Sequence, residues 1–283
     1  MARWHTALRA IAVLNIALWS LCAAAVARAR ASLPIQAEAA CYLQLSLSAA
    51  YVAGCAYRSV LPVIDIPRLV LVKSPMSSVA LGRSVATVAE LCFAAQWALL
   101  VYGFAALNGS PIGKMLALAI VPLIVLAELC SWYAVLTTRQ RAHAIENALW
   151  GASAALVIAA LLVIGPQRLA AMGVPVISWC LGSTVYVAFI VIYDVPMYWS
   201  RWRADQARGH QYLTVAEGWV DVCTRQAVSR RWDDWKSEMP WMSLYFTFGV
   251  WSSISLPYTS LVIAHHPWVP AVVHVFNSVS AFL

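Results

Sequence analysis

The chain is poor in charge. Of its 283 residues, 11% are Asp, Glu, Lys or Arg, less than half the share of an average soluble domain. Apolar residues make up 62%. A chain so composed has too little polar surface to face water, so lipid is its solvent, and most soluble-enzyme classes fall away. A nucleic-acid partner is also not expected, because no soluble basic domain carries the formal charge of +7. Paired cysteines are missing too. The seven (Cys22, Cys41, Cys55, Cys92, Cys130, Cys180, Cys223) contain no C-x-x-C, and six fall in apolar segments. They read as small packing residues and set no redox compartment.

Several catalytic signatures are absent. There is no G-x-S-x-G, no phosphate-binding glycine loop and no H-E-x-x-H. No two histidines fall at one depth in separate apolar segments, as haem ligation needs. The last apolar segment holds no lysine for a retinal Schiff base. No internal repeat is visible, which argues against an inverted-repeat transporter.

What is present is a series of apolar runs, each near the 20 residues a bilayer span takes. Six run Ala7–Ala27, Ser84–Leu107, Met115–Thr137, Ala144–Gly165, Val174–Met197 and Trp241–Ile263. A seventh, Ala39–Tyr57, is more polar. The fold expected is an all-α polytopic bundle of seven transmembrane helices forming one membrane domain over residues 1–283. Sorting the 19 Lys and Arg by side puts 15 on one face and 4 on the other. The positive-inside rule then makes the N-terminus cytosolic and the C-terminus external. A rival reading treats Met1–Arg9 and Ile11–Ala25 as a signal peptide with an A-x-A site near Ala25-Val26-Ala27.

Residues 198–240 form the long charged connection, expected to be a cytosolic amphipathic segment. Val215, Trp219 and Val222 recur at helical spacing, and Trp232 and Trp235 lie three apart among Arg225, Arg230, Arg231 and Lys236. This suits either a helix in the headgroup layer or a packed cap over the bundle. Asn108-Gly109-Ser110 matches the glycosylation sequon, but its loop is only a few residues long, and the match is taken as chance.

Four carboxylates lie inside the apolar runs: Glu90, Glu128, Glu146 and Asp194. Each costs about 2.5–3.5 kcal/mol at mid-helix. Depth along each helix places Glu90 and Asp194 roughly 10 Å from the nearest basic residue on the 15-cation side, Glu146 roughly 8 Å and Glu128 roughly 16 Å. Four helices thus bring an acid to the same half of the membrane, with no Lys or Arg in mid-span to neutralise them. If the acids face inward, at least three should lie within about 10 Å of one another. Glu128 is the expected acid, with Glu90 or Asp194 as base. His143 and Glu146 share a helix face at i, i+3, so Glu128, His143 and Glu146 are the ligands expected if a divalent metal is bound. Trp97, Trp132 and Trp150 lie on the same helix faces as Glu90, Glu128 and Glu146, Tyr186 adds a polar group at depth, and these four are the expected walls for substrate. Gln96 is a further polar group at depth. His265, His266 and His274 follow the last run and read as a solvated loop.

The function expected is an intramembrane enzyme acting on a lipid or isoprenoid-type substrate, with membrane lipids and a hydrophobic small molecule as partners. The alternatives are a proton- or cation-coupled transporter or channel, and a non-catalytic membrane subunit whose acids pair with a partner helix.

Overall fold

A computed structural model describes residues 1–171 and 173–264. Seven of its helical segments are long and apolar enough to cross a membrane. Helix α1 (Ala2–Ala29) is the first span and α2 (Ile35–Val60) carries the second. After a short hairpin of β1 (Val63–Ile64) and β2 (Leu69–Val70) come α3 (Val79–Leu107), α4 (Pro111–Thr137) and α5 (Gln140–Ile164). A short α6 (Pro166–Ala171) leads to the sixth span, in which α7 (Val176–Phe189) passes through a π turn, Ile190–Asp194, into α8 (Val195–Ala207). The following connection holds α9 (Val215–Thr224), β3 (Ala227–Val228) and α10 (Trp232–Trp235). The seventh span joins α11 (Met239–Leu244) through a second π turn, Tyr245–Gly249, to α12 (Val250–Ala264). The seven apolar runs of the sequence are these seven spans, and the architecture is an all-α bundle.

Local chemistry sets the helix ends. Ser78 accepts from the Leu81 N–H at the start of α3, and Ser110 accepts from the Gly113 N–H at the start of α4, with Pro111 in the first turn. Asn108 closes α3 by donating to the Phe104 carbonyl. The sequon residues Asn108 and Ser110 are therefore helix caps, a physical reason for their presence. Gly54 lets α2 approach α3 closely; a Cβ there would sit 2.7 Å from that of Ala89.

The spans enclose an apolar core between α3, α4 and α5, built around Phe104, Ile120, Ile124, Val157 and Leu161. Halfway along the bundle a polar clamp interrupts it. The Gln44 amide donates to the Gln96 carbonyl at 2.9 Å, and Gln96 donates back to the carbonyls of Gln44 and Ser253, each at 3.2 Å. The Ser253 hydroxyl lies 2.6 Å from Gln96 Oε1 and 3.1 Å from Ser48 Oγ. Interhelical bonds of this kind contribute on average about 0.6 kcal/mol each in membranes. They fix α2, α3 and α12 in register.

One end of the bundle gathers residue 1 and the connections 61–78, 138–139 and 208–238, and it is closed by a cap. Strand β1 pairs antiparallel with β2 (Val63↔Val70, Ile64↔Leu69), and β2 pairs parallel with β3 (Leu69↔Ala227, Val70↔Val228). Arg68 pins the cap. Buried in its loop, it donates to Asp221 Oδ2 at 2.8 Å and to the Asp65 and Val135 carbonyls, each at 2.6 Å. Helix α9 docks on the end of α4, where Val222 joins a cluster of Val63, Val70, Val79 and Val135. Residues 198–207 belong to the sixth span rather than to the connection, so the segment that covers the bundle starts ten residues later than its sequence boundary. Within it Trp235 is fully buried while Trp232 and Trp219 remain exposed. The charged connection is thus a packed cap that keeps an exposed apolar strip at Val215, Trp219 and Val220.

Gly218 decides that docking. A Cβ on it would lie 1.9 Å from the Leu136 carbonyl oxygen, a backbone atom that cannot step aside without moving α4. Gly218→Ala is expected to lower stability by about 1–3 kcal/mol, the usual cost of overpacking. A thermal-unfolding midpoint in detergent no lower than that of the unsubstituted protein would show that α9 is not held there.

Candidate functional site

The site is built around Arg83. This residue sits in the second turn of α3, and its long side chain runs inward beside the next two turns, burying all but 6% of the residue. One guanidinium nitrogen, Nη2, lies 2.8 Å from Glu90 Oε2 and 2.8 Å from Glu128 Oε2. The other, Nη1, lies 4.0 Å from Glu146 Oε1. Glu90 comes from α3 itself, Glu128 from α4 and Glu146 from α5. A fourth segment joins at the second π turn, where the Tyr245 hydroxyl donates to Glu90 Oε1 at 3.2 Å.

Each acid has a second partner. The Thr87 hydroxyl donates to Glu128 Oε2 at 2.6 Å, and the Trp132 indole N–H in turn donates to Thr87 Oγ1 at 3.0 Å. Glu146 Oε2 is 2.6 Å from His143 Nδ1. An ionised carboxylate only accepts, so in this pair Nδ1 is the donor. Asn147 donates to the His143 carbonyl at 2.9 Å and steadies the turn. The cluster sets one guanidinium against three carboxylates, an imbalance that makes it a place to hold or move a proton.

A cavity of about 160 Å³ opens beside this cluster, under the cap. Arg83, Glu90, His143, Glu146 and Tyr245 line one side. Trp150, Tyr186, Tyr198 and Trp241 form much of its wall, and Arg58, Asp65, Arg201 and Glu238 ring the capped end. The last four are themselves tied: Arg58 lies 3.9 Å from Asp65, and Arg201 lies 3.3 Å from Glu238.

The acids singled out in the sequence are thus partly brought together. Glu90, Glu128 and Glu146 converge on one guanidinium. Asp194 is buried in the first π turn, within electrostatic range of Glu146 and His143, but it does not line the cavity. Nor does Glu128, which lies behind Arg83 with Oε1 buried and without a hydrogen-bond partner among the described residues. Of the expected substrate walls, Trp150 and Tyr186 line the cavity. Trp97 packs edge-on against Trp179 at 5.2 Å in the apolar core, and Trp132 faces Thr87 and Trp219. His265, His266 and His274 lie outside the described residues.

Two expectations need correction. From the sequence, Arg83 reaches Glu90 only by snorkelling inward across two turns, and Glu128 has no cation nearby; the structure forms the first pair and supplies the second from the same guanidinium. Helix α3 starts at Val79 instead of Ser84, which brings Arg83 into the helix on the face of Glu90, two turns away. The metal set Glu128, His143 and Glu146 does not form: among the described residues no three of His, Cys, Asp and Glu gather as metal ligands. Arg83 is the reason, since Nη2 takes Glu128, Nη1 faces Glu146, and the other oxygen of Glu146 is held by His143. Sequence reasoning also passed over Glu238, Trp241 and Tyr245. Their spacing of three and four residues places them on one helix face, a signal hidden because the last apolar run of the sequence begins only at Trp241.

Comparison with protein-family models, with curated proteins and with solved structures finds no match to this chain.

Removing Arg83 alone strands buried carboxylates. Arg83→Ala is expected to cost roughly 3–5 kcal/mol, as breaking a buried ion pair on one side does. Adding Glu90→Gln and Glu128→Gln to it should recover much of that loss, because the uncompensated charges go too. Midpoints in detergent for the single and triple variants measure this; equal midpoints for the two would refute the charge assignment.

Proposed function

We propose that the protein is an intramembrane enzyme that does acid–base chemistry on an amphipathic lipid or isoprenoid-type molecule. The observation that carries this is the His143–Glu146 pair on the wall of a cavity set within the membrane spans. An imidazole oriented through Nδ1 by a carboxylate is the arrangement of a general base. His143 Nε2 takes a proton from the polar end of the bound molecule, and Glu146 stabilises the imidazolium that results. The Tyr245 hydroxyl, hydrogen-bonded to Glu90, stands on the same wall as the group that returns a proton. Arg83 is the fixed positive charge for any negative charge that develops. Glu128 acts on the reaction through Arg83 rather than as the acid itself, and Asp194 adds to the field at His143. In this reading the capped end faces the cytosol, on the strength of the 15 cations of 19 assigned to that side. Membrane lipids supply the substrate.

The Gln44–Gln96–Ser253–Ser48 clamp favours a second reading, proton- or cation-coupled transport, because it continues polar groups past mid-bundle. Against it, the Gln96 amide and the Ser253 hydroxyl are engaged between helices rather than lining an open path.

The test is turnover. Proteoliposomes of the purified protein are incubated with a total lipid extract, and lipid masses are compared before and after. A mass change in one lipid class is expected. It should fall by about 10²–10⁴-fold in His143→Gln, the usual contribution of a general base, with the unfolding midpoint kept. Full turnover in His143→Gln would remove the base assignment. No mass change in any class, together with proton flux reported by a trapped pH dye, would replace enzyme by transporter.

A further inference from the structure

The sixth span is the least enclosed of the seven. Only 17% of its most apolar stretch is buried, against 44% for the second and seventh spans. It lies along α5, while the seventh span packs on α1, α2 and α3. Sixth and seventh meet through side chains. The rings of Phe189 and Trp241 stack with centroids 5.1 Å apart and planes 6° apart, and Tyr186 lies over the same indole at 6.5 Å and 20°. Toward the cap, Arg201 on the sixth span is bound to Glu238 at the start of the seventh.

This seam is also a wall of the cavity. Tyr186 and Trp241 line it, while Phe189, half-buried, does not. Outward of it the sixth span presents Val185, Val191 and Ile192, all exposed and apolar. Each span carries a π turn close to its ring: Ile190–Asp194 directly follows Phe189, and Tyr245–Gly249 begins four residues after Trp241. A π turn interrupts the regular hydrogen-bond ladder and gives a helix a local joint.

The cavity size completes the argument. A space of about 160 Å³ takes a group of roughly benzene size. It holds the polar end of a lipid but not a long hydrocarbon, which has to leave the cavity somewhere. The capped end is ringed by Arg58, Asp65, Arg201 and Glu238, an unfavourable exit for an alkyl chain.

We propose that the cavity opens sideways into the bilayer between the sixth and seventh spans, with the Phe189–Trp241 stack as the gate and Arg201–Glu238 as its latch. The ligand is a single-tailed or two-tailed lipid that enters by this seam, its polar end at His143 and Glu146 and its tail left in the membrane. This rests on the lipid reading of the site and adds the route and the shape of the substrate.

Photolabelling in nanodiscs tests it. Two probes are run in parallel: a long-chain isoprenoid alcohol and a phosphatidylglycerol, each with a diazirine in mid-chain, with labelled peptides mapped by mass spectrometry. Leu126 and Leu129 on the exposed face of α4 report bulk lipid. At least one probe should label the peptides of Phe189 and Trp241 severalfold above that reference. Trp241→Ala and Glu238→Gln should each raise labelling at Trp150 further. If Trp241→Ala unfolds, Phe189→Leu takes its place. Seam labelling no higher than at α4, unchanged in the variants, overturns the portal. The two ideas fail separately. Seam labelling without any lipid mass change keeps the portal and removes the enzyme, while lipid turnover indifferent to Trp241→Ala and without seam labelling does the reverse.

Discussion

One buried guanidinium organises this bundle. Arg83 is nearly removed from water and pairs with carboxylates from α3 and α4 while facing a third from α5. A charge in a low-dielectric interior is tolerated only when opposite charges and hydrogen bonds surround it. That requirement fixes the rotation of three helices at once, since Glu90, Glu128 and Glu146 must all face the same point. It also orders the outer ring of partners, because Thr87 and Trp132 hold Glu128, His143 holds Glu146 and Tyr245 holds Glu90. The same ring makes a cavity wall that sets carboxylates, an imidazole, a phenol and a guanidinium side by side.

The cap serves that arrangement. Arg68 spends its guanidinium on Asp221 and two carbonyls, which ties the β1–β2 hairpin, α9 and the end of α4 into one piece. With β3 paired to β2 and Trp235 buried beneath, the end of the bundle nearest the acids is roofed. A roofed, charged cavity raises the strength of each interaction inside it, because less water screens them. Past mid-bundle the chemistry changes. The Gln96 and Ser253 groups are engaged between helices, and beyond them lie the apolar contacts of Phe104 with Trp179 and their neighbours. The polar machinery is concentrated in one half of the structure.

The architecture was legible in the residues. Seven apolar runs became seven spans, and the depths of Glu90, Glu128 and Glu146 put them in one half of the bundle, where they would meet only if their helices turned them inward. Trp150 was read onto the cavity wall from its spacing of four from Glu146, and Tyr186 as a polar group at depth. Other inferences of the same kind failed. Trp97 shares a helix face with Glu90 at two turns' distance, yet it lies far enough along α3 to enter the apolar core. The set of Glu128, His143 and Glu146 looked like metal ligands because the cation that Glu128 meets was assigned to a loop.

Composition and periodicity determined what this protein is made of: helices, because apolar runs of this length can satisfy their backbones in lipid only by forming them, and a site among the acids, because unsolvated carboxylates have to find partners. Only the tertiary structure decided which partners. Helix start points and rotations set whether Arg83 points outward or inward, whether Tyr245 reaches Glu90, and whether the sixth span closes against the seventh by packing or by a single stack of rings. Those outcomes depend on a shift of one turn or a rotation of one face. Hydropathy is summed over a whole span and is blind to both.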